Sequence, residues 1–163
     1  METSTQPVPT AIGITLVVLL VAANAFFVAA EFALVGARTT RLDEMARAGD
    51  GRARLARKAL RTLDRYISAT QLGITLASLG LGWAGEPALA HIVDGLFHWL
   101  PERLEAVATH TVASAIAFAI ITVLHIVLGE LVPKTLALLY PEKISAAVVA
   151  PLLGFSWLMA GPI

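Results

Sequence analysis

The chain has 163 residues, of which 57% are apolar and 15% charged, against about 45–50% and about 25% in soluble domains. Twelve basic and twelve acidic side chains balance, so net charge gives no reason to expect a nucleic-acid partner. Cysteine is absent, which excludes disulfides, thiolate metal sites and cysteine nucleophiles.

The apolar excess lies in long blocks, the pattern of membrane spans rather than of one globular core. The first block runs roughly from Pro9 to Ala37, with no charge before Glu31. At ~1.5 Å per residue it can cross a ~30 Å hydrocarbon layer with some tilt. It lacks a basic leading region and a small-residue cleavage site, so it reads as a retained helix and not a signal peptide. The next stretch changes character completely. Nine of the twelve Lys/Arg residues fall between Arg38 and Arg65, interleaved with Asp43, Glu44, Asp50 and Asp64. Gly49-Asp50-Gly51 is a turn signal, so residues 38–65 read as two short surface helices meeting at that turn. The positive-inside rule makes this loop cytoplasmic and places the N-terminus outside.

The second apolar block, Tyr66 to Trp83, is rich in small and hydroxylated residues, among them Ser68, Thr70, Gly73, Thr75, Ser78 and Gly80. Small residues let membrane helices approach closely, so this block reads as a packed inner helix. Gly85-Glu86-Pro87 breaks it, and Ala88 to Leu100 reads as a short amphipathic stretch with Trp99 at the interface. The acidic run Glu86, Asp94, Glu102 and Glu105 suits the external side, and His91, His98 and His110 read as external or interfacial. The third block runs from Ala106 to about Leu128 and ends in Gly129-Glu130-Leu131-Val132-Pro133-Lys134. Lys134 and Lys143 return the chain to the cytoplasm. A fourth stretch, Ile144 to Ile163, is long enough to span, but Pro151 and Gly154 interrupt it and argue for a broken helix at the interface; both readings stay open. The pattern stops in mid-course at Pro162-Ile163, and a soluble portion is expected to follow. The expected architecture is therefore an all-α, multi-pass domain of the cell membrane. It has three transmembrane helices, with short juxtamembrane or re-entrant helices beside them.

Polar residues inside such blocks need a reason, because an ionised side chain at the bilayer centre costs ~2.5–3.5 kcal/mol or more. Asn24 and Glu31 lie two turns apart on one face of the first helix. Ser68, Thr70, Gln71 and Thr75 lie in the inner half of the second, and Gly129-Glu130 near the inner end of the third. All three groups fall at one depth, which predicts a single site in the inner half of the membrane. Its donors are all oxygen: the Glu130 carboxylate, the Asn24 amide, hydroxyls, the Gln71 amide and backbone carbonyls. Hard cations such as Mg²⁺ select that set, while Zn²⁺ or copper favours His or Cys. Pro133 removes one N–H, so the Gly129 carbonyl four residues earlier is expected to lose its helical partner beside Glu130. The local alternatives are a Glu130–Lys134 pair, a Glu31–Arg38 pair, Asn24 as interhelical glue, and His125 as a packing or cavity group.

Three motifs recur in order: NAFFVAAEFAL from Asn24, SATQLGITLAS from Ser68 and GELVPK from Gly129. Together they resemble the transmembrane domain of the CorC/CNNM (cyclin M-type) magnesium transporters over about residues 10–160. The resemblance implies one such domain over 1–163, forming a homodimer that exports largely dehydrated Mg²⁺ from an inward-facing cavity. Na⁺ is the coupling ion it implies, and ATP would bind only to cytoplasmic CBS modules beyond this sequence. Glu130 and Gly129 match the ligand-bearing motif, and Asn24 stands where many relatives have Ser. Ala69-Thr70-Gln71 replaces a Gly-Asn-Asn type run, which departs from the pattern in the second helix. Pro133, Lys134, Glu31 and Gly73 are expected to shape or gate the site rather than hold the ion. A different class of function is a regulatory or structural membrane anchor for a nucleotide-sensing module. No nucleophile–base pair at one depth suggests an enzyme.

Overall fold

The computed structural model describes residues 10–85 and 102–159, and the regular structure among them is entirely helical. Helix α1 spans Thr10–Gly36, with no proline and no glycine between Ile14 and Val35 to interrupt it. It ends where Arg38 turns extended (φ −86, ψ 125). Helices α2 (Thr39–Arg47) and α3 (Gly51–Ala59) follow, joined through Gly49 at φ +99, a backbone state that glycine adopts without a Cβ clash. Asp50 caps α3 by accepting from the N–H groups of Arg52 at 2.8 Å and Ala53 at 3.1 Å. Two short helices thus meet at the Gly49 turn over 39–59.

A 3₁₀ turn, Leu60–Thr62, leads into α4 (Leu63–Gly80), which continues as a π-helical turn over Leu81–Gly85. The amphipathic stretch expected over 88–100 lies outside the described residues. Helix α5 (Glu102–Leu124) passes through a π-helical segment, His125–Leu131, into α6 (Val132–Leu139). The third block thus does not stop at Gly129: it crosses the Gly-Pro motif by widening one turn. Helix α7 (Pro141–Leu158) completes the fold.

Two segments are long and apolar enough to cross a membrane, Ala11–Gly36 and Ser114–Leu139, and only 28% and 17% of them is buried. A core helix of a soluble protein would be mostly enclosed. These instead turn Val18, Leu19, Phe118 and Val123 outward, the surface that lipid covers. Helix α1 packs against α4, the π segment, α6 and α7 as part of the bundle.

Close contacts fix the register. Gly73 abuts Phe27 and Gly80 abuts Leu20, so α4 runs antiparallel to α1. Val17 clusters with Leu81 and Ile121 at one end. Lys134 reaches Phe32, and Pro141 meets Gly36, at the other, so α5–α6 runs parallel to α1. Glycine at 73 matters because it lets the Phe27 ring lie directly on the α4 backbone.

The fourth stretch departs from expectation. Helix α7 is continuous through Pro151 and buries one stripe, Ser145, Ala146, Val149, Leu152 and Ser156. That stripe packs against Ala53, Ala56 and Ala59 of α3 and Leu34 of α1, contacts that outweigh one missing backbone hydrogen bond. Its first turn carries Glu142, bonded to Arg38 at 3.1 Å. Near its last turn the Ser156 hydroxyl accepts from Arg65 at 3.0 Å. Arg38 and Arg65 bracket the basic loop, so both ends of α7 are tied to the same end of the bundle. The helix lies across that end.

Candidate cation site at a widened helical turn

In the π segment the Val132 N–H bonds to the Val127 carbonyl, five residues back. One extra residue in a turn puts neighbouring carbonyls out of register with their usual donors. Gly129, buried in this turn, is where a side chain from another helix steps in. The Asn24 amide nitrogen of α1 donates to the Gly129 carbonyl at 3.0 Å. Asn24 is itself 2% exposed, and a Cβ on Gly129 would sit 3.2 Å from that nitrogen. A side chain at 129 would push the Asn24 amide or the His125 ring back by a few tenths of an ångström. The amide cannot be turned over, because its oxygen would then face a carbonyl oxygen.

The remaining end of Asn24 fixes a chain of donors. Its Oδ1 accepts from the Ser78 hydroxyl of α4 at 3.3 Å, and Ser78 Oγ lies 3.3 Å from His125 Nε2. A hydroxyl has one proton to give. Since Ser78 gives it to Asn24, His125 must donate through Nε2–H. The sequence His125 to Ser78 to Asn24 to Gly129 thus ties α1, α4 and the π segment together with every hydrogen bond pointing one way. Such a network holds Asn24 in a single orientation.

Of the residues predicted from sequence, Asn24 and Gly129 are brought into direct contact, and Pro133 is buried just beyond them. Glu130 is the next residue after Gly129, but its side chain is exposed. Ser68, Gln71 and Thr75 are also exposed, while Thr70 is buried. The hydroxyls of Ser68, Thr70 and Thr75 donate to carbonyls on their own helix, those of Asp64, Ile67 and Gln71. Ser68 lies ten residues from Ser78, about 15 Å along the axis, so it does not join Asn24's immediate contacts. Gly73 is the packing contact with Phe27. Lys134 places its ammonium 4.5 Å from the Phe32 ring centre, a cation–π contact. Glu31 is half-buried, and Arg38, the alternative partner named above, engages Glu142 instead.

Sequence reasoning underrated Ser78 and His125. Both had a readable signal: Ser78 lies seven residues from Gln71 on one face, and His125 lies one turn before Gly129. The exposed polar residues of α4 form a pattern of their own. Asp64, Ser68, Gln71 and Thr75 recur at spacings of three and four, and Ser78 continues the stripe into the buried network. A polar track therefore runs from the basic-loop end of α4 to Asn24. At that end burial raises the Glu142 pKa, but hydrogen bonds from the Arg38 side chain and backbone, with its charge, outweigh this and leave it lowered. Among the described residues no group of three or more His, Cys, Asp or Glu converges. The assembled donors are amide, hydroxyl, imidazole and carbonyl.

Fold and site together define a helical membrane domain with a hydrogen-bonded polar centre at a helix defect. The chain belongs to the cyclin M (CorC/CNNM) family, whose transmembrane N-terminal domain matches residues 15–163. That family is generally linked to Mg²⁺ transport. The chain is 43% identical over 153 residues to the UPF0053 protein YhdT of Bacillus subtilis, covering 90% of this chain and 33% of that protein. It is 42% identical to the UPF0053 protein YugS of the same organism, covering 84% and 32%. To the uncharacterized protein Rv1841c of Mycobacterium tuberculosis it is 40% identical, covering 86% and 39%. The chain thus spans about a third of the length of these relatives.

Proposed function

We propose that this domain binds Mg²⁺ as its transported substrate and exports it, with Na⁺ moving inward as the coupling ion. The observation that carries the reading is the polar track of α4, which leads from the basic-loop end to the buried Asn24–Gly129 contact beside Glu130. On a chain whose other long helices expose apolar side chains, such a track is costly against lipid. It suits the wall of a water-filled cavity, or a cleft shared with a second copy in a homodimer. On this reading α1, α4 with its π turn, and α5–α6 are three spans. The N-terminus lies outside, and residues 38–65 lie on the cytoplasmic side of the cell membrane.

Within the cavity Glu130 supplies the formal charge, and Asn24 Oδ1, Gln71 and the hydroxyls of Ser68 and Thr75 supply neutral oxygens along the path, while the buried Thr70 lies off it. Mg²⁺ demands near-octahedral oxygen geometry and sheds water reluctantly, so several aimed donors must act together. Gly129 and Pro133 then create the defect that presents them. The role is transport, with no chemical step on the substrate.

Calorimetry of Mg²⁺ binding to the purified domain tests this, with Ca²⁺ and Na⁺ as controls. Saturable binding in the wild type, reduced at least 10-fold by Glu130→Ala with unfolding temperature unchanged, is the expected outcome. Equal binding by the two proteins would remove Glu130 from the site. Absence of binding by both would favour a membrane anchor for a cytoplasmic module.

A further inference from the structure

Helices α2 and α3 flank an open cleft of about 600 Å³ lined by Arg47, Arg54, Arg57, Lys58 and Arg61, with Asp43 the one carboxylate lining it. Asp43 forms an ion pair with Arg57 at 2.6 Å. Among the described residues Arg47, Arg54, Lys58 and Arg61 have no carboxylate partner; the ion pairs found there are Arg38–Glu142, Arg41–Glu44 and Arg57–Asp43.

On α3 and the turn after it, Arg54, Arg57, Lys58 and Arg61 stand at spacings of three and four, so each cation faces another. Like charges at those spacings destabilise a helix. The opposite face, Ala53, Ala56 and Ala59, is buried against α7 and its neighbours, so the helix cannot roll to spread them. Retaining the loop on one side of a membrane requires positive charge but not its convergence on one cleft. Convergence is what a bound anion explains, and the guanidinium fork suits phosphate.

The position of the cleft says which phosphate. Arg61 is two residues before the start of α4, so the cations stand at the level where the bundle enters the bilayer. Leu55, 40% exposed, adds an apolar wall beside the cations. We propose that this cleft binds the phosphate headgroup of an anionic phospholipid, with the glycerol and acyl chains passing along Leu55 toward the membrane. Basic clusters directly beside a transmembrane helix attract such lipids.

The test is thermal unfolding of the domain in neutral detergent, titrated with short-chain phosphatidylglycerol, phosphatidylcholine or inorganic phosphate. Three proteins are compared: wild type, Arg54→Gln/Arg61→Gln, and the charge-matched Arg41→Gln/Arg52→Gln outside the cleft. The expected result is saturable stabilisation of the wild type by phosphatidylglycerol alone. Half-saturation should shift at least 10-fold in the cleft variant and less than 3-fold in the control. Equal shifts in both variants would reduce the effect to net charge and overturn the site. Stabilisation by phosphatidylcholine or inorganic phosphate at the same concentration would overturn the lipid assignment. If the cleft variant unfolds without ligand, Arg54→Lys/Arg61→Lys replaces it, keeping charge while removing the fork; an unchanged half-saturation there would count against the site. Mg²⁺ transport does not enter this readout.

Discussion

Replacing Gly73 with alanine would place a methyl carbon 2.6 Å from three atoms of the Phe27 ring, where carbon atoms normally rest at about 3.5–4.0 Å. The ring has little room to retreat. Phe155 of α7 lies behind it with centroids 4.7 Å apart, and Phe26 meets it edge-on at 5.2 Å. Overpacking of this kind costs ~1–3 kcal/mol, and alanine returns ~0.5–1 kcal/mol in helix propensity. A net loss of ~1–2 kcal/mol follows, which for a chain of this size lowers the unfolding temperature by roughly 2–8 °C. Gly154, on an exposed position of α7 with nothing within 4 Å of a Cβ, supplies the opposite sign: Gly154→Ala should stabilise by up to ~1 kcal/mol. Thermal unfolding in detergent measures both. Adding Phe27→Leu to Gly73→Ala should recover at least half of the loss relative to the sum of the single changes. If Gly73→Ala is as stable as the wild type, or the pair is additive within ~0.3–0.5 kcal/mol, the α1–α4 register described above is wrong.

Asn24→Leu strands the Gly129 carbonyl and leaves the Ser78 hydroxyl only His125 as a partner, and should destabilise by ~1–3 kcal/mol. Ser78→Ala should cost less, ~0.6 kcal/mol, the average for a hydrogen bond between membrane helices; thermal unfolding that ranked Ser78→Ala above Asn24→Leu would break the proposed order of the chain. The Arg38–Glu142 pair holds Glu142 below the ordinary carboxylate range. A depressed folded pKa gives stability that is complete above the unfolded value and lost as pH falls through the folded one. Between pH 6 and pH 3 the wild type should therefore lose up to ~1 kcal/mol more than Glu142→Gln, read from unfolding temperatures at each pH; parallel curves would show that the pair contributes nothing.

The long apolar blocks, the basic loop and the Gly-Asp-Gly turn were legible because each rests on local sequence: run length, charge placement and turn chemistry. So was the defect at Gly129, since proline removes a donor at a known distance. What supplies the missing donor was not legible, because Asn24 is 105 residues away and only the register of α1 against α5–α6 brings it there. Pro151 misled for the same reason. A proline breaks an isolated helix, but α7 is held along one stripe by α3 and α1. Ser78 belonged to a stripe whose face was readable, yet which hydroxyl turns inward depended on the crossing of α4 over α1. The outward-facing Glu130 acquires a reason only in the proposed cavity or homodimer, which lies beyond what one chain's sequence encodes locally.

Mg²⁺ flux through proteoliposomes of the purified domain, loaded with Mg²⁺ and given an opposing Na⁺ gradient, tests the central claim most directly. Wild type should release Mg²⁺ only when Na⁺ is supplied, and Glu130→Ala should slow release at least 10-fold while remaining folded. Equal release from wild type and variant, or no release from a wild type that binds the ion, would contradict transport by this site.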